Sequence, residues 1–153
     1  MTSQLKEIMQ ISEQTKVNLP PRIRLATPYA AAQSLSSGGR MVNTCNLSED
    51  YVGYSKKYGD FAGDFSSLGN LMVHGVVQLG HELELPENLV EKIPSDGLCG
   101  KTDEDNLGFT YAQLDKYIMH GTCGILEIDD KIKMLHERNL HKHALMPTFS
   151  LTA

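Results

Sequence analysis

Apolar positions along the chain fall mainly at helical spacing, with one short continuous run between them. Leu5, Ile8 and Met9 share one face of a helix expected from about Gln4 to Thr15, with Ser3 as its cap. Pro20 and Pro21 read as the start of the next helix, because proline's fixed φ suits a first turn. That helix carries Arg22, Leu25, Tyr29, Ala32 and Leu35. Pro28 inside it predicts a break or bend, since a mid-helix proline costs about 3 kcal/mol. After a turn at Ser36 to Gly39, Met41 to Cys45 has the length of a buried strand. Asn46 or Ser48 can then cap a short helix bearing Glu49, Asp50 and Val52.

Lys56 to Ser67 is rich in Gly, Asp and Tyr and reads as a functional loop. Leu68, Leu71, Met72, Val76, Leu79 and Leu83 return to helical spacing, and a short helix from Glu87 to Glu91 follows Pro86. Pro94 to Gly108 is a polar loop of roughly 15 residues, a length uncommon without a function. Thr110 with Gln113 matches a capping box and opens a helix through Leu114, Tyr117 and Ile118. A last helix is expected from about Glu127 to Leu140, before an irregular tail around Pro147. One strand among many helices is a poor free-standing sheet, so the pattern implies an incomplete α/β domain.

Composition narrows the classes. A chain of 153 residues, 41% hydrophobic and 22% charged, suits a single domain rather than a disordered or fibrous segment. A formal net charge of -5 argues against a protein that coats nucleic acid, yet leaves room for a locally basic pocket. Cys45, Cys99 and Cys123 make no C-x-x-C pair and read as reduced thiols of a cytoplasmic protein. The polar N-terminus offers no signal peptide, and no apolar run approaches the roughly 20 residues of a membrane span. His136, His141 and His143 follow no standard zinc spacing.

The stretch richest in chemistry runs from Asn43 to Asp60. It leaves a strand end, passes a helix cap and delivers a carboxylate, Glu49, in the first helical turn. Ligands of open α/β sheets bind beyond the carboxyl ends of strands, and carboxylates with phosphate oxygens are the natural magnesium ligands. Lys57 and Asp64 add a cation and an anion on the glycine-rich loop. From the residues alone this is a nucleotide or phosphate site with a metal. The competing bland reading is a pair of acidic residues complementing a helix N-terminus.

The run S-E-D-x-V-G-Y-x-x-K-Y-G-D at Ser48 to Asp60 resembles the central signature of the NAD synthetase family. The block from Pro94 to Tyr111, the Arg22-x-Arg24 pair and the closing His141-Lys142 fall in the order that family uses, so the resemblance covers about Asn18 to Phe149. It implies the C-terminal part of an adenine-nucleotide α-hydrolase-like, Rossmann-type α/β domain, mostly helical here, in one partial domain spanning the chain. The implied reaction is ATP-dependent amidation of deamido-NAD (nicotinic acid adenine dinucleotide) to NAD by ammonia, through an acyl adenylate. Such an enzyme is a ligase of NAD biosynthesis, with Mg2+ as cofactor, ATP as co-substrate and a homodimer as the expected assembly. No nucleic-acid or membrane partner is implied.

Position by position, Thr44 and Ser95 resemble ATP-contacting residues and Glu49 a magnesium ligand. Arg22, Lys57, Asp64, His141 and Lys142 match positions that hold deamido-NAD. No residue is assigned covalent catalysis, because positioning and charge neutralisation dominate such chemistry. Two departures matter. Val73 stands where many members carry a lysine. The family's phosphate loop S-G-G-x-D-S has no counterpart, since Ser37-Gly38-Gly39-Arg40 lacks the Asp-Ser and reads as a hairpin-like connector before a strand. The alternative is therefore a truncated, non-catalytic remnant that binds nucleotide or pairs with a full-length subunit. Another ATP-pyrophosphatase, such as a GMP synthetase, fits the Ser48 to Asp60 run less well.

Overall fold

In the computed structural model, residues 7–95, 97 and 100–150 are described. The first long helix, α1, spans Glu13–Gln33, and Ser12 caps it by accepting a hydrogen bond from the Thr15 amide at 3.1 Å. The expected helix from Gln4 to Thr15 is not continuous. Helical structure at residues 7–8 gives way before Ser12, where α1 starts afresh, and Ser3 and Leu5 lie outside the described residues. Pro20 and Pro21 sit inside α1 rather than at its start, and the helix runs on through Pro28 without a break. Tertiary contact offsets part of the proline cost. Pro21 is the buried residue of α1 and lies under the turn at Gly59, while Arg22 Nε donates to the Lys57 carbonyl at 3.2 Å.

The strand read at Met41 to Cys45 is shorter, β1 at Val42–Asn43, and it pairs in parallel with a second strand, β2 at Phe65–Ser66. The register sets Val42 against Phe65 and Asn43 against Ser66. β2 lies within the stretch read as loop, because two residues are too few to carry an alternating pattern. A parallel pair needs a crossover, which α2 (Leu47–Val52) begins. Ser37 to Arg40 turns from α1 into β1, so the connector joins helix to strand and is no hairpin.

Five further helices follow: α3 (Val73–Glu82), α4 (Glu87–Val90), α5 (Asp103–Leu107), α6 (Tyr111–His120) and α7 (Leu126–Asn139), with a 3-10 turn at Leu140–Lys142. Helix α3 begins later than Leu68 because Leu68 to Leu71 closes as a turn whose Leu71 carbonyl accepts from Leu47. The polar stretch from Pro94 holds α5, opened by a Thr102–Asp105 capping box, so it is a capped helix and a shorter loop. Cys99 lies outside the described residues.

The core lies where α2, α6 and α7 meet. Val52, Leu107, Phe109, Tyr111, Leu114 and Ile132 form it, with Leu114 and Ile132 wholly inaccessible. Burial of each such side chain stabilises by about 2 kcal/mol. Polar ties fix the helices within it. Buried Asp115 on α6 accepts hydrogen bonds from Ser48 Oγ on α2 and from the His74 amide at the start of α3, at 3.3 Å for the latter. Asn139 on α7 donates to the Val52 carbonyl at 3.0 Å. Gly53, which ends α2 at φ 64°, admits no side chain there: a Cβ would lie 2.3 Å from that of Asn139.

Candidate functional site

A cleft of about 540 Å³ opens between the start of α1, the turn after α2 and the end of α7. Gln14, Asn18 and Arg22, spaced four apart on one helical face, form one wall. Ser55, Lys56 and Lys57 form the floor, and Arg138, Asn139, His141 and Lys142 close the far side. Arg22, Lys57, His141 and Lys142, four of the five residues assigned to deamido-NAD, thus line one space. The sequence motifs did not indicate Arg138 or Lys56. Arg138 lies on α7, before the closing pair, and Lys56 directly precedes Lys57.

The lysines are held by carbonyl oxygens. Lys57 Nζ donates to the carbonyls of His141 and Ala144, the latter at 3.2 Å. Lys142 Nζ reaches back to the carbonyls of Gly53 and Ser55, the latter at 2.9 Å. Each lysine therefore ties its own segment to the other one. Among the described residues, no carboxylate pairs with Arg22, Lys56, Lys57, Arg138 or Lys142. Burial, with Lys56 and Arg138 nearby, holds the Lys142 amine below its ordinary value. Such a field in a chain of net charge -5 is local and attracts anions.

On the other side of Lys57 and Lys142 lies a second, more apolar cleft of about 380 Å³, lined by Tyr58, Phe61 and the segment from His143 to Met146. Phe61 meets the His143 ring edge-on, with centroids 4.8 Å apart. The paired clefts set cations beside aromatic surface.

The acidic component sits at the start of α2. Asn46 caps this helix, and Glu49 completes a capping box by accepting from the Asn46 amide at 3.0 Å. Burial raises the Glu49 carboxyl to about 7 against that hydrogen bond, and Asp103, Asp50 and Asp60 push in the same direction. Burial also raises Asp50, whose Oδ1 is enclosed without a hydrogen-bond partner. The Cys45 thiol is pushed up to about 12 by burial and then by Asp50, Glu49 and Asp60. Tyr111 donates to Asp103 at 3.3 Å and is raised as well, chiefly by burial. Mutually repelling carboxylates and an orphaned carboxylate oxygen fit a hard divalent cation, which takes oxygen ligands. Glu49 would hold it as a single protein carboxylate, since among the described residues Glu49, Asp50 and Asp103 do not bring three ligand oxygens within 4.8 Å of one another. Asp50, one of the acidic pair that the bland reading sets against the helix N-terminus, is half-buried.

The remaining predicted residues lie apart from the basic cleft. Thr44 is exposed just beyond β1, between Asn43 and the Asn46 cap. Ser95 Oγ donates to the Lys101 carbonyl at 2.9 Å and accepts from the Gly97 amide, closing the turn before α5. Asp64 accepts from the Met41 amide at 2.7 Å and braces the strand pair. Val73 opens α3, its amide donating to Ser48 Oγ at 3.1 Å.

A family model described as NAD synthase matches residues 1–148. The chain belongs to the NAD synthase family. It is 39% identical over 131 residues to the NH(3)-dependent NAD(+) synthetase of Syntrophomonas wolfei, covering 85% of this chain and 51% of that protein. The enzyme of the same description from Archaeoglobus fulgidus is 38% identical over 141 residues, covering 89% and 56%. A solved NMN synthetase from Francisella tularensis superposes with TM-score 0.84 at 34% identity, over 97% of this chain and 62% of that one. An NH3-dependent NAD synthetase from Campylobacter jejuni shares the fold, at TM-score 0.70 and 21% identity. The chain therefore spans about half the length of the curated relatives it matches. The family is one of ligases, and the α/β architecture is that of part of an adenine-nucleotide α-hydrolase-like domain. No helix among the described residues is long and apolar enough to cross a membrane.

Proposed function

We propose that this chain contributes the deamido-NAD cleft and part of the ATP–magnesium site of an ammonia-dependent NAD synthase. The observation that carries the reading is the convergence of Arg22, Lys57, His141 and Lys142 on one cleft free of carboxylates among its described lining residues. In the proposed reaction the nicotinate carboxylate attacks the α-phosphorus of ATP, and pyrophosphate leaves. Ammonia then attacks the acyl adenylate, AMP leaves, and a proton is lost to solvent. When bound, the magnesium ion at Glu49 supplies neutralisation of phosphate charge. Arg22, Lys57, Arg138 and Lys142 hold the dinucleotide diphosphate, and the apolar cleft beyond Lys57 takes a ring. Thr44 and Ser95 contact ATP, and Asp64 orients the dinucleotide. The protein acts in the cytoplasm, as a homodimer.

Two specific observations support other forms of this reading. The likeness to an NMN synthetase makes deamido-NMN, the mononucleotide, a competing substrate. The match covers 51% of a curated relative, so the 153 residues tested without the S-G-G-x-D-S half are expected to bind but not to turn over. One assay separates these forms. The purified chain is given ATP, Mg2+ and ammonia with either acid substrate, with and without a separate polypeptide carrying S-G-G-x-D-S. NAD formed only with that polypeptide supports the proposal. NMN formed in preference supports the mononucleotide form. A chain that neither turns over nor binds either acid substrate overturns the reading of the cleft.

A further inference from the structure

We propose that His81, Glu87 and Glu91 form a surface site for a borderline divalent transition-metal ion, with zinc as the type case, where α3 turns into α4. One ring nitrogen of His81 and one carboxylate oxygen from each glutamate all lie within 4.8 Å of one another. His81 Nε2 is 2.9 Å from Glu91 Oε1. Zinc binds histidine nitrogen and carboxylate oxygen at about 2.0–2.2 Å, so a small rotation of exposed glutamate side chains closes the set around one ion. Three protein ligands leave a fourth position for water.

The backbone brings these donors together and keeps them there. Gly80 meets Val90 so closely that a Cβ would sit 3.0 Å from its side chain, which sets the distance between the two helices. The Glu84 amide donates to the His81 carbonyl at 2.9 Å and the Leu85 amide to Gly80 at 3.0 Å, making a tight turn. Glu87 and Glu91 stand one helical turn apart, where like charges repel by a few tenths of a kcal/mol, roughly 0.2–0.5. A surface ion pair between His81 and Glu91 accounts for only one of those carboxylates. A divalent ion neutralises both. The imidazole nitrogen selects against magnesium and calcium, so this site is chemically distinct from the carboxylates around Glu49.

The test is a titration of the purified 153-residue chain with Zn2+ and with Co2+, in excess Mg2+. Expected is one saturable site, a cobalt visible spectrum without a thiolate charge-transfer band, and selective shifts of the His81 ring signals by NMR. His81→Ala and Glu87→Gln should each weaken binding by about tenfold or more, since each removes one of three protein ligands. Both side chains are exposed, and unchanged circular dichroism checks the fold. Absence of saturable binding, a thiolate band, or affinity unaltered by His81→Ala overturns the assignment.

Discussion

Glu49→Gln separates charge from geometry at the start of α2. Glutamine retains the side-chain oxygen that accepts from the Asn46 amide, so the capping box survives. What disappears is a carboxyl raised from 4.5 to about 7 by burial and by Asp103, Asp50 and Asp60. A folded-state pKa above the unfolded value means that the folded chain binds the proton more tightly. The associated stability is fully present below pH 4.5 and is lost as pH rises through 7. At about 1.36 kcal/mol per unit, the loss is on the order of 3 kcal/mol by pH 8, less whatever solvent around a partly exposed group screens. The variant should match the wild type near pH 4 and exceed it at pH 8 by up to about 3 kcal/mol, or roughly 6–12 °C in Tm. Urea denaturation followed by circular dichroism between pH 4 and 8 reads this directly. Some slope should remain, because Asp50 is raised too. In metal-free buffer, equal pH dependence in both proteins would refute the electrostatic account of Glu49. Added Mg2+ should stabilise the wild type at pH 8 and leave the variant unmoved.

Other outcomes follow from the same packing. Gly53→Ala places a Cβ against Asn139 at positive φ and should cost about 2–4 kcal/mol in chemical denaturation. Leu114→Ala empties a wholly buried position and should cost about 2–5 kcal/mol. Asp115→Ala strips Ser48 and the α3 start of their shared acceptor and should cost about 3 kcal/mol; Asp115→Asn should recover part of it. Arg138→Ala should weaken calorimetric binding of deamido-NAD about tenfold at low salt, and less in 0.5 M NaCl, without lowering Tm.

Local rules explain which parts of the fold were readable. The capping box at Thr110 acts within one turn, so residue identity four positions wide sufficed, whereas the cap of α2 stood open between Asn46 and Ser48 until the Glu49 contact decided it. The closing helix was equally plain, since Ile128, Ile132 and Leu135 repeat at helical spacing. Long-range contact decided the rest. Pro21 stays helical where α1 packs over the 56–59 turn, which no local propensity encodes, and Pro20 and Pro28 are carried within the same helix. The strand at Phe65–Ser66 exists only through its register with β1. At the site, the motif residues Arg22, Lys57 and the closing pair were legible by family pattern. Arg138 and Lys56 were not, because an isolated basic residue on a helix or loop carries no sign of the cleft it will face.

The hydrogen-bonding of Lys57 and Lys142 bears on what the cleft can bind. A lysine paired with a carboxylate loses most of its field to that partner, and an incoming phosphate must compete for it. A lysine oriented by carbonyl dipoles is held in place while keeping its full unit of charge. Lys57 takes its carbonyls from the segment around His141 and Ala144, and Lys142 takes its own from Gly53 and Ser55. The crossed arrangement makes orientation of the cations conditional on the two segments being docked. Release of the segment after α7 would free both lysines and open the wall common to the two clefts. Burial already lowers the Lys142 amine, and an anion in the cleft would raise it again. On the proposed reading of the cleft, ligand binding and docking of the closing segment would be coupled through the same two ammonium groups. A substrate-dependent gain in amide protection at residues 53–57 and 140–144, seen by hydrogen exchange and lost in Lys142→Met, is the expected signature. Protection that is equal with and without the dinucleotide would show that the clasp is only structural.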